Sequence, residues 1–91
     1  MLKVIKYISF DKFNKSIDKI KNDKLYNNTI QMIIIVLSDL LKPYSKNNGI
    51  YISRDEFQHI TTTILDKYEK DKQFFIICVV LAMLDHELFT K

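Results

Sequence analysis

Two stretches of the chain are apolar on almost every side, and a chain this short has little with which to cover them. One runs from Ile30 to Leu41 (IQMIIIVLSDLL), the other from Phe74 to Leu84 (FFIICVVLAML). A helix that packs on a single core needs an apolar stripe, whereas one that is apolar all round must be enclosed. With 91 residues there are few neighbouring elements to enclose two such cylinders. The excess apolar surface therefore points to a protein partner or to self-association.

Composition narrows the class. The chain is 47% hydrophobic and 27% charged, which is globular and not disordered. One glycine and one proline leave little material for hairpin turns, which argues against an all-β fold. Cys78 is the only cysteine, so no internal disulfide forms and a reducing cytoplasmic compartment is expected. Met1 to Phe10 alternates lysine with apolar residues and lacks the continuous core of a signal peptide. Neither apolar block reaches the roughly 18 residues needed to span a bilayer. The abundance of Ile, Lys, Asn and Tyr implies AT-rich coding DNA, an association that fits a virus, a phage or a low-GC bacterium.

Local patterns place the elements. Leu2, Ile5 and Ile8 fit a helical stripe, while Leu2, Val4 and Ile8 fit a short strand, and the spacing does not choose between them. Phe10, Phe13, Ile17 and Ile20 recur at three and four residues, with Lys12, Lys15 and Lys19 opposite, which predicts an amphipathic helix to about Lys21. The connection 22–28 is polar, with Leu25 and Tyr26 tucked against the core. A second helix is expected from Thr29, as N-cap, to about Lys42, where Pro43 ends it. Ile50-Tyr51-Ile52 reads as briefly extended. Ser53 and Glu56 form a capping box, and Ile52 and Phe57 a hydrophobic staple, so a helix begins at Ser53. Its buried stripe is Phe57, Ile60, Ile64 and Tyr68. A last helix is expected from Lys72, capped by Asp71, to about Phe89, either separate from its predecessor or continuous with it. The expectation is an all-α fold, a compact bundle of four to five helices over residues 1–91 with, as an option, a short extended N-terminal segment.

Little here supports catalysis. Glu56 and His59 form one Glu-x-x-His pair, but di-iron bundles need two pairs and further carboxylates. Asp85, His86 and Glu87 are consecutive and fan around their helix. The loop before Asp55 offers no carboxylate for a calcium site. Cys78 sits among Ile76, Ile77, Val79 and Val80, surroundings that keep a thiol protonated and inert. No catalytic residue, metal ligand or cofactor is assigned.

The apolar register also touches a known pattern. Leu2, Ile5, Ile8, Phe13 and Ile20 resemble the first two helices of pyrin-type death-fold domains, and Ile60, Ile64, Tyr68, Leu81 and Leu84 resemble their closing helices. The segment between is too long for that family and its helix at 30–41 has no counterpart there, so no functional residue is carried over.

Two functions follow as expectations. The first is a non-enzymatic protein-binding module, an inhibitor or adaptor, which contacts another protein or a second copy of itself. If Ile30, Ile33, Leu37 and Leu41 form the core stripe of one cylinder, Met32, Ile35 and Val36 are left over. If Phe74, Ile77, Cys78, Leu81 and Leu88 form that of the other, Phe75, Val79 and Met83 are left over. These six are the candidate protein-binding residues. The alternative is a sequence-tolerant nucleic-acid binder using Lys12, Lys15, Lys19 and Lys21, with Lys3, Lys6 and Lys24 nearby. Residues 1–24 carry seven lysines against three aspartates, an excess of +4. Thirteen of the fourteen cations are lysine, however, which provides phosphate contacts with little capacity for base reading.

Overall fold

The computed structural model describes residues 4–90. Leu2 and Lys3, assigned above to the N-terminal stripe and the cationic patch, lie outside the described residues.

The all-α expectation is overturned. The chain folds as β1 (Ile5–Ser9), α1 (Phe10–Lys21), α2 (Asn28–Leu41), a single 3-10 turn at Lys42–Tyr44, β2 (Ser45–Lys46), β3 (Gly49–Ser53), α3 (Arg54–Lys67) and α4 (Phe74–Phe89). The three strands form an antiparallel sheet in the order β1-β3-β2, with Tyr7 opposite Tyr51 and Ser45 opposite Ile50. Helices beside an antiparallel sheet make this an α+β arrangement. It also removes the pyrin-type reading, because residues 5–9 are a strand and not a first helix.

The hairpin explains why composition misled. Its two-residue turn is Asn47-Asn48, with φ of 52° and 61°. Two consecutive positive φ values are the requirement of a type I′ turn, whose twist matches the flanking strands. Asparagine reaches that region at little cost because its short side chain bonds locally. The fold therefore makes its hairpin without spending a glycine on the turn. The glycine that follows answers a different need. A Cβ on Gly49 would overlap the Tyr7 ring and lie 2.9 Å from the Ile8 carbonyl oxygen.

Three of the four helix starts among the described residues are fixed by a side-chain cap. Ser9 caps α1 by accepting from the Lys12 amide at 3.1 Å, and the Phe10 amide donates to the Asn48 carbonyl at 3.0 Å. The tip of the hairpin thus satisfies one of the donors that a helix leaves open at its N-terminus. For α2 the cap is Asn27, not Thr29, and it accepts from the Ile30 amide at 3.0 Å. Ser53 caps α3 as expected, accepting from the Glu56 amide at 3.2 Å while its hydroxyl donates to Glu56 Oε1 at 3.0 Å. Asp71 does not cap α4. It accepts from the Gln73 amide in a local turn, and the helix begins two residues later than expected, at Phe74.

One core joins both layers. Ile8, Ile50 and Ile52 descend from the inner face of the sheet onto Phe13, Ile17 and Ile20 of α1, the α2 stripe, Phe57, Ile60 and Ile64 of α3, and α4. On α2 the buried set is Ile30, Ile33, Leu37 and Leu41, as the spacing indicates, joined by Ile34. On α4 it is Ile77, Val80, Leu81, Leu84 and Leu88. Phe74 and Cys78 are only half-buried, so the α4 stripe is displaced from its expected position. Phe10 is exposed because it begins α1 at the edge of the layer. Leu25 and Tyr26 pack against the core as the sequence indicates.

Candidate protein-binding surface

The two apolar cylinders meet different fates. Helix α4 packs against both α1 and α3, and most of its circumference is covered. Arg54 Nη2 donates to Asp85 Oδ2 at 2.6 Å, and the Phe57 and Phe89 rings lie 5.2 Å apart, so the start of α3 is fastened to the last turns of α4. Lys19 Nζ donates to Glu87 Oε1 at 2.9 Å, which fastens α1 to the same end. That bond is the main reason the Glu87 carboxyl titrates below its ordinary range, and the charges of Lys19, His86 and Lys12 act in the same direction.

Among the six candidate residues, Val79 and Met83 come together. They line a groove of about 400 Å³ with Ile20, Ala82, Lys19, His86 and Glu87. Met83 also packs against the core, as does Val36 on α2. These three are half-buried and contribute only part of their surface to the outside. Phe75 stands alone in the first turn of α4, 77% exposed. That turn neighbours the first turn of α2, because Asn27 Nδ2 donates to Gln73 Oε1 at 2.6 Å.

Helix α2 is the cylinder left uncovered. Met32 is 58% exposed and Ile35 54%, and both project from the side opposite Ile30, Ile33 and Leu37. The positions 28, 32, 35 and 39 recur at intervals of four, three and four, and all four residues are exposed. That spacing places them on one helix face. Between Asn28 and Asp39 the helix carries no charge at all. Asp39 itself bonds Lys42 at 3.3 Å on the surface.

A second apolar surface escaped the sequence reading. Ile5, Tyr7 and Tyr51 are exposed on the outer face of the sheet, with the two tyrosine rings 4.8 Å apart. The alternation Ile50-Tyr51-Ile52 carries the signal, since a period of two places Tyr51 opposite its neighbours. The edges beside this face are guarded. The outer strand β2 is two residues long, and β1 directs Lys6 to the inner face, where its ammonium lies 5.9 Å from the Phe89 ring centre. Short edge strands and inward charges are devices that oppose strand addition.

The lysine surface is partly neutralised. Lys15 pairs with Asp11 at 3.1 Å and Lys19 with Glu87, while Lys12 adds to the positive field at Glu87. Lys21 is exposed beyond them. On α3, Glu56 lies beside Tyr44, whose hydroxyl is held above its usual pKa by partial desolvation first and by the Glu56 charge and hydrogen bond second. Asp55 and His59 line the same depression. Among the described residues no three His, Cys, Asp or Glu side chains converge as a metal site would require, and no helix is long and apolar enough to cross a membrane. Comparison of the chain with protein-family models, with curated proteins and with solved structures finds no match.

Proposed function

We propose that the protein is a non-enzymatic binding domain that engages another polypeptide through the open face of α2. One observation carries this reading: Met32 and Ile35 stand exposed at the centre of a helix face that carries no charge between Asn28 and Asp39, while the other apolar cylinder is largely enclosed. Removing the exposed half of two such side chains from water contributes roughly 2–3 kcal/mol before the cost of association. Helix-in-groove and helix-on-helix recognition both use anchors spaced this way. A domain that binds without chemistry acts as an adaptor or a stoichiometric inhibitor.

The test is a photo-reactive amino acid placed at position 35 in the full chain inside its native cell, with position 63 on the exposed side of α3 as control. The reading predicts a discrete protein adduct from position 35 that is absent from position 63. Adducts of equal yield and identity at both positions would contradict it.

A further inference from the structure

The exposed face of α2 has a property that an arbitrary binding helix lacks: it is complementary to itself. From N- to C-terminus the face presents Asn28, Met32, Ile35 and Asp39. Laid antiparallel against an identical helix about a twofold axis between Met32 and Ile35, it sets Met32 against the second copy's Ile35, and Asn28 against the second copy's Asp39. Both apolar side chains then meet apolar partners. Both ends then pair an amide donor with a carboxylate acceptor.

We propose that a second copy of this chain covers the open face of α2, forming an antiparallel helix pair across a twofold axis. This rests on the reading of α2 as the binding surface and names its occupant.

Charge decides the direction. In a parallel pairing the two Asp39 carboxylates would stand opposite one another, and like charges across an interface are strongly disfavoured. In the antiparallel pairing they stand at opposite ends of the seam. Asp39 is free to take a new partner, because its contact with Lys42 joins side chains that are 63% and 77% exposed, and such pairs hold little energy. The overall charge of the molecule opposes self-pairing. The net charge is +3 and the α1 face is studded with lysine, so two copies approach best through a surface that carries no cation. The stretch from Asn28 to Asp39 meets that condition.

The spacing of four, three and four residues is also that of a knobs-into-holes seam. With only 14 residues in each helix, the contact is smaller than a standard interface. Dimerisation is therefore weak and reversible, with a Kd on the order of 100 µM.

Sedimentation equilibrium of the full chain from about 10 µM to 2 mM, together with three variants, tests the proposal. The unmodified chain is expected to show a monomer–dimer equilibrium. Ile35→Glu raises Kd about tenfold or more while its thermal unfolding stays unchanged. Asn28→Lys lowers Kd about three- to fivefold at low salt, because the new ammonium faces the second copy's Asp39, and the gain vanishes at high salt. Asn28→Asp weakens the dimer, and adding Asp39→Lys to it restores association. A dimer indifferent to Ile35→Glu would overturn the assignment of the surface, and indifference to Asn28→Asp would overturn the antiparallel register. A strict monomer at 2 mM overturns self-pairing. If position 35 in that monomer still captures a different protein in the cell, the binding-domain reading survives; if it captures none, both fall.

Discussion

The ring of Tyr7 lies across Gly49 on the outer face of the sheet, and its hydroxyl reaches toward the carbonyls of Asn47 and Asn48 at 3.4 and 3.3 Å. The only glycine of the chain is therefore explained by a neighbour on another strand and not by the turn beside it. Gly49→Ala is expected to lower stability by about 1–3 kcal/mol through overpacking. In a Tyr7→Ala background the same substitution should cost less, because the ring that it strikes is gone. Urea unfolding of the four chains in a double-mutant cycle measures the difference.

The cap of α3 offers a second quantity. Ser53 is buried, at 3% exposure, and bonds both the amide and the carboxylate of Glu56. Ser53→Ala should lower unfolding free energy by about 1 kcal/mol, and Glu56→Gln, which retains an acceptor, by less. Equal losses would show that the backbone bond is not the dominant one.

The α1–α4 ion pair sets a pH dependence. The bond from Lys19 holds the Glu87 carboxyl below its ordinary value of 4.5, so Glu87 binds its proton less readily in the folded state than in the unfolded one. The stabilisation it provides is fully present above about pH 4.5 and is lost as pH falls through the lowered folded value. The stability gap between the unmodified chain and Glu87→Gln should thus be open at pH 7 and narrow progressively as pH falls below about 4.5. Urea midpoints across that pH range check this, and the gap should be small, as for other surface pairs.

The two faces of α4 should respond in opposite ways. Leu84 is fully buried, and Leu84→Ala should cost about 2–5 kcal/mol. Phe75→Glu, at the exposed start of the same helix, should change folding stability by no more than about 0.5 kcal/mol. Thermal melts of both variants distinguish core from surface.

For nucleic acid, Lys15 and Lys19 pair with Asp11 and Glu87 only in surface contacts that hold little energy, so all four candidate lysines can reach phosphate. Four phosphate contacts make log Kd rise with log salt concentration at a slope of about 3.6. In a duplex-DNA titration a slope of that size would support the nucleic-acid reading, and no measurable affinity at low salt would eliminate it.

What could be read from the sequence was what is encoded locally. Ser53, Glu56, Ile52 and Phe57 announce the start of α3 within six residues, and the structure has it there. Strand β1 is five residues long, and while Ile5 and Ile8 satisfy a helical spacing of three, Val4 and Ile8 satisfy the even spacing of a strand, so periodicity does not separate the two. The hairpin was hidden because Asn47 and Asn48 took the role usually sought in glycine. The α4 face was misassigned because a helix apolar on all sides has no stripe to read, and only the positions of α1 and α3 decide that Val80 and Leu84 are enclosed while Phe74 and Cys78 are half-open. The same reasoning limits α2. Met32 and Ile35 were identifiable as residues left over from a core stripe, but their alignment with Asn28 and Asp39 acquires meaning only once the open side of the helix is known.

The central claim is that the exposed side of α2 is the working surface and that a second copy occupies it. The chain has only three methionines, Met1, Met32 and Met83, so a methyl-labelled methionine at position 32 is readily assigned. Isotope-filtered NMR on an equal mixture of methionine-labelled and isoleucine-labelled protein at millimolar concentration reads the contact directly. The account predicts an intermolecular cross-peak between the Met32 methyl of one copy and the Ile35 methyl of the other, lost in Ile35→Glu. Intermolecular cross-peaks from Met83 without any from Met32 would contradict it.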